Sequence, residues 1–272
     1  MYHDPLPVGG VAVALLLGSY ALLGLSPSVP LLVASVCGAA LVYGADRGLV
    51  AAPEDAVNHP GRRRWVRDHR GWLWGEAVVL LLVGVSTLPF LRGETLLGIG
   101  VGGMLAGLHL LPVGRWGRLL KTMGPGKPLV VAGAWALGAT VLPVIEAGQS
   151  VTVEVGLLAG YRLLFILPNV LLADWGDRGG DVAAGLQPWT EHGSGTELRW
   201  AATGLLLLAG GIAAMLAGGA VPPRLMLFDA LGLAWMGGAV WGLDPERPFD
   251  RFAMDLLVAW PLVTALVAWG LG

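Results

Sequence analysis

The chain has 272 residues, of which 55% are hydrophobic and 13% charged, against about 25% charged in an ordinary soluble domain. That composition excludes a water-soluble globule, and 17 basic against 19 acidic residues supply no positive field for nucleic acid. The 43 glycines show no Gly-X-Y period and point to close helix packing in lipid. Gly98, Gly102, Gly103 and Gly107 stand at small-xxx-small spacing. The single cysteine, Cys37, lies in an apolar run and has no partner for a disulfide.

A bilayer core about 30 Å thick takes ~20 apolar residues of helix. Such stretches recur at 8–25, 28–45, 72–91, 94–113, 128–147, 151–173, 199–219, 224–243 and 253–271. They predict an all-α integral membrane protein, nine transmembrane helices in one multi-pass domain over 1–272. The first seven residues hold no Lys or Arg and no secretory cleavage pattern follows, so the first span reads as a retained helix. Connections are tight after the odd-numbered spans and longer and polar after the even-numbered ones. Of the 17 basic residues, Arg92 and Arg224 alone face away from the long loops, and Arg162 lies inside the sixth span. The positive-inside rule then puts the long loops and the N-terminus in the cytoplasm and the C-terminus outside, in the cell membrane.

The chemistry-bearing residues gather in those long loops. In LLADWGDRGGD, Asp174, Asp177 and Asp181 stand at i, i+3 and i+7, one face of a helix if the sixth span continues through them. Carboxylates so placed repel one another and need a cation or basic partners. Mg²⁺ suits hard oxygen donors and fills its shell with water and substrate phosphate, which implies a phosphorylated substrate. Asp46, after the second span, holds the matching place in the first half, and Glu54 and Asp55 share its loop. Both Asp46 and Asp174 follow an Ala, as in a weak parallel repeat. Arg62, Arg63, Arg64, Arg67 and Arg70 read mainly as anchors on anionic headgroups, with one or two able to reach a diphosphate. Arg115, Arg118 and Lys121 repeat every three residues before Gly124-Pro125-Gly126.

Elsewhere the polar residues read more plainly. A charge at mid-span such as Arg162 costs ~2.5 kcal/mol or more and calls for a role or for a buried carboxylate, Asp229 or Glu76. Asp229 and Asp255 lie near helix ends, where snorkelling keeps them tolerable. None of the five histidines has metal-site spacing, and the 12 Trp residues read first as interfacial anchors.

The run from Asn169 through Asp174, Asp177 and Asp181 to Gly185 resembles the DxxDxxxD signature of the UbiA superfamily of intramembrane prenyltransferases. The segment from Leu111-Pro112 through Arg118, Lys121 and Lys127 to Trp135 is similar to the family's stretch between its fourth and fifth helices, which carries basic diphosphate-binding residues. The first motif, NDxxDxxxD in the family, matches at Asp46 alone: Ala45 stands for its Asn, and Leu49 and Pro53 for its later acids.

The resemblance implies a UbiA-like bundle that binds a prenyl diphosphate with its headgroup at two acidic motifs bridged by Mg²⁺ and its tail between helices. It implies Asp174, Asp177 and Asp181 for one metal cluster and Asp46 for the other. Lys121 and Arg118 would take the diphosphate, and Asn169 would stand near the allylic carbon. The partners are then a prenyl diphosphate, an unidentified lipophilic or aromatic acceptor and membrane lipids, with no nucleic acid. An alternative is a catalytically silent relative that binds or moves an isoprenoid lipid, which a degenerate first motif permits. A CDP-alcohol phosphotransferase is disfavoured because no DGxxAR opening precedes Asp174, and a transporter because the acids lie at one surface rather than at the midplane.

Overall fold

The computed structural model describes residues 3–46, 55–110, 126–183, 193–219 and 221–270, and every regular element among them is helical. The helices are α1 Leu6–Leu23, α2 Val29–Gly44, the short α3 Asp55–Asn58, α4 Pro60–Asp68, α5 Arg70–Thr87, α6 Gly93–Leu110, α7 Gly126–Glu146, α8 Val153–Ala183, α9 Gly195–Ala217, α10 Pro223–Gly242, α11 Pro248–Val258 and α12 Pro261–Gly270.

Proline opens many of these helices because its missing N–H falls where no intrahelical partner exists. Pro30, Pro60, Pro223, Pro248 and Pro261 all stand in first turns. Ser194 caps α9 in a reciprocal box: its hydroxyl accepts from the Glu197 N–H at 3.1 Å, and the Glu197 carboxylate accepts from the Ser194 N–H at 3.0 Å. α1 ends at Gly24 in the left-handed conformation, φ 63°.

Each apolar stretch predicted from the sequence coincides with helix wherever it is described. Among the described residues, six helices are long and apolar enough to cross a membrane: α1, α5 with the short turn that follows it, α7, α8, α9 and α10. The pair α11 and α12 makes a seventh if its two pieces form one span, and α2 is a shorter apolar helix of 16 residues.

Two spans differ from their expected form. The last is not one continuous helix but two pieces bent by 40°, because Pro261 has no N–H to carry the ladder forward. The sixth does not stop near 173: α8 runs 31 residues, about 46 Å at ~1.5 Å per residue, well beyond what a bilayer core requires. Its last turns carry the acids clear of the apolar stretch.

Packing partners run around the bundle. α6 packs on α7, α7 on α8, α8 on α9, α9 on α10, α10 on α12, α12 on α1, α1 on α2 and α2 on α5. The core lies inside this circuit, where Leu15 of α1, Phe165 and Leu172 of α8, Ala202 of α9 and Met236 and Val240 of α10 are buried together. Large apolar side chains such as Trp72, Leu82, Leu97, Leu207 and Leu227 point outward, as lipid-facing walls do. The α6 glycines meet this expectation only in part: Gly98 packs against Leu142, while Gly102, Gly103 and Gly107 have no neighbour within 4 Å of a Cβ position.

Candidate active site

Asp174, Asp177 and Asp181 all lie on the extension of α8, partly exposed. The helix continues through them because basic partners from three separate parts of the chain answer the acids. The Lys127 ammonium, at the start of α7, donates to Asp174 Oδ1 at 3.1 Å. Arg251 Nη1, from the first turn of α11, donates to Asp177 Oδ1 at 2.8 Å, and His59 Nε2 stands at 2.8 Å from the same oxygen. Arg178 pairs with Glu246 at 2.7 Å and lies over the Trp175 ring at 4.0 Å.

Asp177 is held from two sides, by Arg251 and by His59. Burial alone would raise its carboxyl, but the His59 hydrogen bond and the Arg251 charge overcome that and hold it well below the usual carboxylate range. Arg251 is itself fixed, donating to the Pro245 carbonyl at 3.2 and 3.0 Å and to the Ala173 carbonyl at 3.4 Å. Asn58 ties the preceding strap to the same turn: its amide donates to the Asp177 carbonyl at 2.6 Å, and its carbonyl oxygen accepts from the Gly180 N–H at 2.6 Å.

Glycine makes this approach geometrically feasible. A Cβ on Gly180 would collide with the Asn58 side chain, and one on Gly176 would collide with Arg251 and with the Pro245 carbonyl. The small residues inside DWGDRGGD are therefore as much part of the motif's architecture as its acids.

Deeper along α8, the Asn169 amide donates to Asp255 Oδ1 at 3.0 Å. α11 thus touches α8 twice on one face, through Asp255 and through Arg251. Asp46 is exposed, two residues beyond the end of α2. Arg115, Arg118, Lys121 and Glu54 lie outside the described residues.

Among the described residues, no three His, Cys, Asp or Glu side chains converge as a ready-made metal centre. The donor chemistry still fits Mg²⁺ in its usual manner: hard carboxylate oxygens, partly open to water, one or two per ion, the rest of the shell being water and phosphate. Sequence reasoning did not single out Asn58, His59 or Arg251. The basic run after residue 60 read mainly as membrane anchoring, and Arg251 entered only the count of basic residues on the long-loop side.

A second polar cluster lies far from this mouth. Arg162 and Asp229, both fully buried, form a two-pronged pair at 2.6 and 3.1 Å. The Tyr161 hydroxyl donates to the same carboxylate at 2.8 Å and the Thr264 hydroxyl at 2.9 Å. Asp229 is therefore a buried partner rather than a snorkelling end charge.

No protein-family model matches the chain, and no curated protein does. Solved structures do. A UbiA homolog from Archaeoglobus fulgidus, described as bound to GPP and Mg²⁺, superposes with a TM-score of 0.61 at 11% identity, covering 98% of this chain and 99% of that one. A structure concerning digeranylgeranylglyceryl phosphate synthase in membranes gives 0.56 at 13% identity, covering 98% and 97%. Identities this low speak for the backbone path alone. End to end, this chain has the fold of UbiA-family prenyltransferases.

Proposed function

We propose that the chain is an Mg²⁺-dependent prenyltransferase that moves a prenyl group from a prenyl diphosphate to a lipophilic or aromatic acceptor within the membrane. The observation that carries this reading is the row of acids at one end of α8, answered by Lys127, His59 and Arg251, on a largely apolar bundle. Acids and bases side by side at the mouth of a lipid-facing fold suit a diphosphate headgroup on an isoprenoid tail.

In this reading the chain crosses the cell membrane nine times, with the N-terminus and the acidic mouth in the cytoplasm and the C-terminus outside. Asp174, Asp177, Asp181 and Asp46 would hold Mg²⁺, which supplies charge neutralisation at the leaving diphosphate. Lys121, Arg118 and Lys127 bind diphosphate oxygens. Asn169 lies five residues before Asp174, about 7.5 Å deeper along the helix. There it is held by Asp255, at the level of the allylic carbon. The carbon–oxygen bond to the diphosphate breaks, the acceptor bonds to that carbon and gives up a proton, and apolar walls keep water from the cation.

The test needs no acceptor. Detergent-purified protein is titrated with geranylgeranyl diphosphate and with geranyl diphosphate, with and without Mg²⁺, beside an Asp174→Asn/Asp177→Asn variant. Mg²⁺-dependent binding that the double variant loses supports the assignment. Binding that ignores Mg²⁺ or survives the variant favours the second reading, a silent isoprenoid-binding relative, for which the single match of the first motif at Asp46 speaks.

A further inference from the structure

The segment that holds Asp177 is also the root of an unusually basic helix. Asn58 and His59, which bond the Asp177 turn, are followed at once by α4, PGRRRWVRD, none of whose residues is buried. Arg63, Arg64 and Arg67 are exposed on it, as is Arg70 at the start of α5. Asp68 is the one acid of α4 and sits beside Arg67 at 3.2 Å. In the first turns of α5, Trp72 and Trp74 are 67% and 48% exposed, the arrangement of aromatic rings at a membrane–water boundary.

We infer that α4 docks on anionic lipid headgroups and that its seating there sets the Asn58–His59 strap against Asp177, so that membrane charge regulates the acidic site. Charge complementarity names the occupant. Arginines clustered just before a long apolar helix that opens with exposed tryptophans suit anionic headgroups, where each gains from a negative surface potential that salt screens. The continuity of chain supplies the coupling, since no residue intervenes between the strap and the first residue of α4. A shift of α4 pulls directly on the His59 and Asn58 contacts.

The lipid contact stands on its own, whereas the regulation rests on the prenyl diphosphate reading. The full chain is reconstituted in nanodiscs of phosphatidylcholine, or of phosphatidylcholine mixed with phosphatidylglycerol. Amide exchange over residues 55–68 and the affinity for geranyl diphosphate with Mg²⁺ are measured in each. Anionic lipid is expected to slow exchange in that segment and to tighten diphosphate binding several-fold, with both effects fading at high salt. Arg63→Gln/Arg64→Gln/Arg67→Gln should behave like wild type in phosphatidylcholine but lose the response to phosphatidylglycerol. The corresponding triple Lys variant should keep it.

Equal exchange in the two membranes overturns the proposal. So does a Gln variant that binds diphosphate poorly in phosphatidylcholine as well, because the arginines would then serve the substrate rather than the lipid. A lipid effect on exchange with unchanged diphosphate affinity overturns the coupling. If no diphosphate binds in either membrane, the prenyltransferase reading and its regulation fail, and the exchange data alone decide the lipid contact.

Discussion

Arg162 shows how one residue can dominate the energetics of an apolar span. Its guanidinium and the Asp229 carboxylate are fully buried and paired through two hydrogen bonds, with the Tyr161 and Thr264 hydroxyls adding two more to the carboxylate. Removing one partner strands the other charge, which costs about 3–5 kcal/mol, whereas replacing a whole buried pair with apolar groups is often close to neutral. Arg162→Leu is therefore expected to lower the thermal midpoint of detergent-purified protein sharply. Adding Asp229→Leu to it should recover much of the loss. The need for a partner was legible from the sequence, because a lone mid-span arginine is too costly to leave unpaired. The choice of Asp229 over Glu76 was not, since it depends on α8 and α10 meeting in space. Asp177 offers a complementary pH test. Its folded pKa lies below the ordinary value of about 3.9, so its pairing contributes stability fully above that value and loses it as pH falls through the lower, folded one. Wild type should then lose thermal stability more steeply in acid than Asp177→Asn, and coincident acid limbs in the two melting profiles would count against the Arg251 and His59 pairing.

At the scale of the helix, α8 is shaped by what approaches it. Gly176→Ala and Gly180→Ala place a methyl group against Arg251 with the Pro245 carbonyl and against Asn58, respectively. Overpacking of this kind costs typically about 1–3 kcal/mol, and Gly176 should be the worse because a backbone carbonyl cannot swing aside. Gly179, between them, is exposed with no neighbour within 4 Å. Gly179→Ala should be neutral or gain up to ~1 kcal/mol from helix propensity. Melting of the three variants side by side separates contact from composition. The spacing of the acids showed in the sequence because they share a helix, and helical period is a local property. Their basic partners did not: His59 stands 118 residues from Asp177 and Arg251 stands 74 away. Nothing in a neighbouring sequence pattern announces such a meeting. Gly-Gly after an Asp-Arg pair was the available hint that something comes close, though not what.

For the molecule as a whole, the apolar pattern was enough to locate the helices, because a span must satisfy its backbone internally and so must be helical. The short polar helices α3 and α4 were not legible, being too brief and too charged to give an apolar period. Topology remains the sharpest whole-molecule prediction. Cys37 is buried, so single cysteines can be added at exposed positions against a quiet background. A cysteine at Arg63 should react with a membrane-impermeant thiol reagent from the cytoplasmic side only, and one at Val151, in the turn before α8, from the opposite side only. Equal labelling of both from one face would reject the orientation.

The break in the last span has a mechanical consequence. α11 contributes Arg251 and Asp255 to the acidic mouth, while α12 contributes Thr264 to the buried Arg162–Asp229 cluster. Because the hydrogen-bond ladder is interrupted at Pro261, the two halves need not melt together. The two halves are thus held by different polar groups, α11 by the Asp177 and Asn169 contacts on α8 and α12 by the buried Arg162–Asp229 pair, so a perturbation of one set need not reach the other.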